Sequence, residues 1–490
     1  MMTIQIRILM ALVALLLTNF SMAQTAHTQT FDTRFGQLEF EYGYPSLESA
    51  EKLFDEMDFQ RATQAYLWAF PAVSFQSINV GLARDLGAKP YDVAIADKFL
   101  DSRGYWLTGN TTTIYGALII DLSLDGPVVI EVPPGPSAGM VCDFWQRSET
   151  MIGVPGRDKG QGGKYLLVPP EYKGELPEEG YFIVPTTMNS LNMMTRGIVQ
   201  GDDIQGAVDI IKKTRVYPYS QRENPKPNRF LSVSDSPVNT IEPKGLEFWK
   251  RLSDVINNNP VHERDRFFMA MLKPLGIEKG KPFEPDERQK KILVEAARVG
   301  WAMAAANTFE ARLEGAIFYP GTHWSEAVLA EPDQEAENYS QLDERLHWFF
   351  AATYMNPSMK LLEAGPGSVY VQTFKDKNDN WLGGDNTYRL RVPPNAPAKD
   401  FWSITVYDAE TRSLIQSPDN KSALTSYDNL KVNDDGSIDL YFGPKAPDGW
   451  ESNLIQTLPG KGFYVWLRLY WPTEPYFDKS WRLADVEKVN

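Results

Sequence analysis

Cysteine is nearly absent from this chain. Its one cysteine, Cys142, can make no intrachain disulfide, so stability has to come from core burial. In the strand-like run 139–143, Cys142 reads as a small buried hydrophobe rather than a nucleophile. No Gly-x-Ser-x-Gly elbow occurs, which leaves a standard α/β-hydrolase nucleophile unsupported. No His-Glu-x-x-His and no paired cysteines occur, which removes the common zinc signatures. A P-loop and a strand-linked Gly-x-Gly-x-x-Gly are also missing, so no nucleotide cofactor is implied. Positive charge is in deficit: the formal net charge is -15. That balance repels phosphate backbones and anionic lipid, and disfavours nucleic acid as a partner.

What is present starts with a targeting segment. Arg7 precedes an apolar run, residues 8–17, and Ser21-Met22-Ala23 forms a small-x-small cleavage site. The run falls short of the ~20 apolar residues a spanning helix needs. The expectation is a signal peptide, residues 1–23, cut after Ala23, and a periplasmic or secreted protein with no stable membrane insertion. Lacking disulfides, it fits a large bacterial periplasmic protein better than a small secreted one.

At 490 residues, more than one core is expected. The periodicity predicts a helical segment over 24–100, beginning after Pro45-Ser46, with Pro71 forcing a kink or break. Period-two runs dominate 101–200, at 115–121, 127–132, 138–144, 165–168 and 181–185. A mainly helical middle follows over 201–365, and strands return over 366–490. Residues 433–437, Asn-Asp-Asp-Gly-Ser, mark a hairpin. The run 463–471 alternates, with Tyr464, Trp466, Arg468 and Tyr470 on one face. Such a face either packs under another domain, the commoner fate, or lines a pocket. Val132-Pro133-Pro134 before Asp143-Phe144-Trp145 is echoed by Val392-Pro393-Pro394 before Asp400-Phe401-Trp402. The fold class expected is α+β: two β-sandwich or jelly-roll-like units with helical N-terminal and middle segments.

Several runs resemble known families. Residues 110–115, Asn-Thr-Thr-Thr-Ile-Tyr, together with 122–133, resemble domain-of-unknown-function family 1254. Residues 384–390, 401–408 and 467–472 resemble its usual C-terminal companion, family 1214. The resemblance implies an exported bacterial protein of two β-units with helical additions, and no established reaction. It also implies an acidic residue where this chain carries Thr112. In the family register, Asp143 pairs with Asp408 as a strand-ending aspartate, which puts the two Asp-Phe-Trp triplets out of register.

Two readings of function follow. One is a protein that binds a small molecule or envelope component. The other is a carboxylate- and tyrosine-dependent hydrolase or lyase acting on a small or carbohydrate-like substrate. Carboxylates at strand ends are exposed to ligands, so Asp143, Asp385 and Asp408, with Tyr407, are the catalytic candidates. Asp121 and Glu451 share that placement. Each alone is also what a turn cap looks like. Asn110, Tyr115, Asn386, Tyr388, Arg389, Trp402 and Trp450 are the candidate ligand contacts. His323 and His347 flank an acidic stretch, a pattern that suits either a carboxylate–histidine site or a solvated acidic surface; the surface reading is preferred and no metal is assigned.

Overall fold

The computed structural model describes residues 27–234 and 236–489, so the apolar leader and its expected cleavage point lie outside the described residues. The described residues form a mixed α/β architecture with eight α-helices, five sheets and no closed barrel.

The N-terminal β-region starts from alternation. In Ile114–Asp121 buried and half-buried positions alternate strictly. Leu118 and Ile120 point to one side, into a core shared with Val128, Ile130, Tyr165 and Leu167. That core joins two sheets. One has six strands in the order Phe230–Ser232, Val93–Ile95, Ile114–Asp121, Ser190–Gly197, Ser137–Asp143, Ser148–Gly153. The other has four, in the order Phe182–Pro185, Gly163–Val168, Val128–Val132, Arg215–Pro218. The stretch expected to be mainly helical therefore returns two strands, Arg215–Pro218 and Phe230–Ser232, to these sheets. Just before them, helix Ile204–Lys212 packs back on the six-stranded sheet through Ala207, Val208 and Ile211 against Ile95 and Ile114.

The C-terminal β-region repeats the logic. A five-stranded sheet runs Ser325–Glu326, Ser368–Thr373, Phe463–Pro472, Ala398–Asp408, Ala423–Thr425. A four-stranded sheet runs Leu454–Gln456, Ile438–Gly443, Thr387–Val392, Glu487–Val489. Val465, Leu467 and Leu469 pack on Leu390, Leu440 and Phe442 between them. The opposite face of the same strand presents Tyr464, Trp466, Arg468 and Tyr470. Asp143 and Asp408 each close a strand, while Asp400 lies inside one.

Two local expectations are corrected. The 433–437 turn forms, with the Asn433 N–H donating to the Ser437 carbonyl at 2.8 Å. It closes no hairpin. The Asn453 side chain holds the preceding segment, accepting from the Lys431 N–H at 2.8 Å and donating to its carbonyl at 2.9 Å. Strand Ile438–Gly443 pairs instead with Thr387–Val392. Nor does Pro71 break its helix, which runs unbroken from Leu47 to Leu86. Proline removes one backbone donor. Side chains bond the nearby carbonyls: Arg345 donates to Trp68 O at 2.8 Å and Gln146 to Pro71 O at 2.9 Å.

This long helix packs against Leu246–Asn258, Glu287–Phe309 and Leu342–Phe349. The approach is close at Gly300, where a Cβ would come within 2.5 Å of the Tyr66 ring. The helical layer shares its core with Met140, Cys142, Phe144 and Trp145 of the six-stranded sheet. Among the described residues no helix is long and apolar enough to cross a membrane.

Candidate functional site

A cavity of about 140 Å³ lies between the six-stranded and five-stranded sheets. Its first wall is a single row across four strands. Ala94 stands opposite Ala117, Ala117 opposite Met194, and Met194 opposite Met140. Alanine at two places in this row leaves the space that larger residues would fill. The next row sets Tyr115 opposite Arg196. The facing wall comes from the C-terminal sheet, where Arg468 stands opposite Tyr370, with Tyr470 two residues on. The loop before Ile114 adds Trp106, Thr108 and Asn110, and the segment after helix Leu342–Phe349 adds Tyr354 and Met359.

The polar groups gather at one end. Asn110 Nδ2 donates to the Tyr470 hydroxyl at 2.7 Å. The Asn110 carbonyl accepts from the Thr112 backbone at 2.9 Å and from the Thr112 hydroxyl at 2.7 Å. The Thr112 hydroxyl and backbone N–H together turn the Asn110 amide toward Tyr470, and an ionised acid at this position would supply only the backbone donor. Arg468 is only 2% exposed. It donates to Thr405 Oγ1 at 2.8 Å and to the Tyr407 hydroxyl, which in turn donates to Gly109 O at 2.8 Å. No carboxylate among the described residues pairs with Arg468 or Arg196, and Arg196 makes no side-chain hydrogen bond there. Burial pushes the phenols of Tyr370, Tyr407 and Tyr470 up, against the pull of Arg468, so all three stay protonated at neutral pH. Burial opposes the Arg468 charge, yet the phenol oxygens around it, Tyr407 first, keep its pKa above the ordinary arginine value.

Two lining residues carry left-handed backbone, Thr108 at φ 55° and Tyr354 at φ 62°. Such a conformation costs roughly 1–2 kcal/mol outside glycine. Neighbours hold both in place. Thr108 Oγ1 accepts from the Thr353 N–H at 3.1 Å. Tyr354 donates its N–H to Gln146 at 2.7 Å and its hydroxyl proton to Asn192 at 2.6 Å.

The structure sorts the sequence candidates sharply. Asn110 and Tyr115 line the cavity, and Tyr407 stands directly behind Arg468. The others are elsewhere. Asp385 is an exposed loop residue accepting from Gly460 N–H at 3.0 Å. Asp408 caps its own turn, accepting from the Glu410 and Thr411 N–H groups at 2.9 and 2.8 Å. Tyr388 and Trp402 are buried between the two C-terminal sheets. Asn386 donates to the Tyr388 hydroxyl at 3.3 Å, and Arg389 pairs with Glu487 at 2.8 Å. Trp450 packs edge-on against Tyr441 with Lys431 over its ring. Asp121 caps Ser123, and Glu451 accepts from Gly449 N–H. His347 is buried, with ring nitrogens on the Asn307 and Glu326 carbonyls, while His323 lies apart against Asp485 at 3.0 Å. Among the described residues no group of three His, Cys, Asp or Glu could hold a metal ion.

Asp143 belongs to a separate buried charge cluster. Burial raises it to about 6, and burial together with the nearby Asp143 charge raises Glu149 to about 7. Thr187 bridges the two carboxylates, and Arg147 pairs with Glu335 at 2.7 Å close by. Cys142 is fully buried and its thiol is pushed far up, which removes thiolate chemistry there.

Sequence reasoning missed Arg196, Met194, Thr108, Tyr354 and Tyr370. Arg468 carried a legible sign: a lone cation on an otherwise aromatic strand face.

No curated protein matches this chain. The crystal structure of the VPA0106 protein from Vibrio parahaemolyticus is similar in fold, with a TM-score of 0.53 at 16% identity over 88% of this chain and 100% of that one. A crystal structure of an uncharacterized protein from Burkholderia cenocepacia gives a TM-score of 0.40 at 10% identity, over 90% of this chain and 96% of that one. Two family models match: residues 92–218 match the protein of unknown function DUF1254, and residues 367–474 match the protein of unknown function DUF1214, N-terminal and C-terminal respectively.

Proposed function

We propose that this is an exported protein that binds one small molecule in the cavity between its two β-regions. The observation that carries the reading is the cavity itself: mostly apolar walls with a few polar groups converging at one end, the usual composition of a ligand site. Its volume of about 140 Å³ suits a ligand with a single-ring body, since a ~150 Å³ apolar cavity binds benzene. The carboxylate-dependent enzyme reading gains no support at this place, because among the described residues no aspartate, glutamate or histidine lines the cavity. The buried tyrosines, with their pKa values pushed up, are poor bases.

Ligand-observed NMR with phenol, benzamide and benzoate on the mature chain tests the reading. One-site, saturable binding of at least one probe that disappears in Ala117→Phe is the expected result. A second blocking variant, Ala94→Leu, guards against a folding defect in the first. Binding by none of the probes, or binding that ignores both variants, overturns the reading. Export is tested separately by N-terminal sequencing of the periplasmic fraction, expected to begin at Gln24; an uncut chain confined to the cytoplasm contradicts it.

A further inference from the structure

We infer that the polar end of the cavity is an anion site, and that its ligand is a small monocarboxylate on an apolar body of single-ring size. This inference rests on the cavity being a ligand site, and it names what that ligand must carry.

Donors outnumber acceptors at this end of the cavity. A guanidinium has five N–H donors and no acceptor. Arg468 directs two hydrogen bonds inside the protein, to Thr405 and Tyr407, and its remaining donors meet no described residue. Arg196 lines the same cavity with no hydrogen bond or ion pair to any described residue. The Tyr470 oxygen accepts from Asn110, which leaves the Tyr470 proton to donate, and no described residue accepts it. Among the described residues, that end of the cavity therefore holds two cations with donors left over and a phenol proton with no acceptor.

Other buried arginines show what this chain does when the need is structural. Arg412 pairs with Glu242 at 2.5 Å, and Arg147 with Glu335 at 2.7 Å. Arg345 has no acid, but reaches the Trp68 carbonyl and the Gln334 side chain. Among the described residues, only the cavity arginines combine a missing acid with an adjoining space. A buried charge without a partner is expensive, and an anion entering that space removes the cost. A carboxylate accepts bidentate guanidinium donation and a phenol hydrogen bond in one plane. The apolar row of Ala94, Ala117, Met194 and Met140 leaves the rest of the ligand no polar partner. A cationic or sugar-like ligand would waste both features.

Isothermal titration with isosteric probes decides the matter: benzoate, benzamide, benzylamine and phenylphosphonate. Benzoate is expected to bind at least tenfold more tightly than benzamide, and benzylamine not measurably. Arg468→Met should weaken benzoate about 30-fold or more while changing benzamide less than threefold. Arg196→Met, at a half-buried residue with no internal partner, should weaken benzoate about tenfold and serves if the first variant folds poorly. Equal binding of benzoate and benzamide, both blocked by Ala117→Phe, overturns the anion site and leaves the cavity reading standing. Tighter binding of phenylphosphonate than of benzoate overturns the carboxylate assignment. Benzoate binding that survives Ala117→Phe and Ala94→Leu places the anion outside the cavity and overturns both.

Discussion

Arg412 and Arg468 are equally buried, at 1% and 2% exposure, and meet opposite fates. Arg412 follows strand Ala398–Asp408 and grips Glu242, 170 residues earlier, with oxygens at 2.6 and 2.5 Å. Phe350 lies beneath its guanidinium at 4.4 Å. The pair ties the segment leading into the helical layer to the C-terminal sheet. Arg468 lies on the central strand of that same sheet, over Tyr407 and Trp466, and no acid among the described residues reaches it. A cation with its own acid is a fastener. A cation beside a cavity, with donors to spare, waits for an acid from outside. The difference is what supports the proposed binding site, where no catalytic motif is present.

The largest expected effect breaks the fastener. Glu242→Gln leaves Arg412 buried and unpaired, and should lower unfolding free energy by roughly 3–5 kcal/mol in urea titrations. Glu242→Leu with Arg412→Met should recover most of that loss, since an apolar replacement of a buried pair is often neutral. Arg468→Met should behave in the other way. Its stability change should stay within about 1 kcal/mol, while benzoate affinity falls by about 2 kcal/mol, the equivalent of the 30-fold loss. A large stability loss in Arg468→Met would erase the contrast between the two arginines. Smaller again, Ala117→Leu should fill space and raise the unfolding free energy by about 1 kcal/mol as it abolishes probe binding.

The smallest expected effect concerns pH at the third charged region. Free carboxyl groups titrate near pH 4. In the folded chain burial raises Asp143 to about 6 and Glu149 to about 7, so between pH 4 and 7 the folded state holds more protons than the unfolded one. The stability these groups contribute is full below about pH 4 and is lost as pH rises through 7. Urea midpoints should therefore fall less between pH 5 and pH 8 in Glu149→Gln than in the native chain. An unchanged fall would remove Glu149 from the account.

Those strands that were legible obey local rules. Thr387–Val392 follows from its apolar–polar alternation, and Phe463–Pro472 shows both faces of its future environment in its letters. The strand-end aspartates misled for an equally local reason. Asp121 and Asp408 bond backbone only two or three residues away, which is what aspartate does in any turn. The cavity is long-range. Asn110 meets Tyr470 across 360 residues; Asn110 stood out through a family-like run, and Tyr115 also as an aromatic near a strand-end carboxylate. Arg196 lies on Ser190–Gly197, a strand with two methionines and one β-branched residue, so neither the strand nor its arginine announced itself. The helix through Pro71 was likewise unreadable, because the side chains that bond its carbonyls, Gln146 and Arg345, come from distant segments.

A crystal structure of the mature chain grown with 4-bromobenzoate tests the central claim most directly. The account predicts one dominant bromine anomalous peak between the two β-regions, beside Met194 and Met140, with the carboxylate on Arg468 and the Tyr470 hydroxyl. A ligand seated with its carboxylate away from Arg468, or a cavity left empty while the probe binds elsewhere, would contradict it.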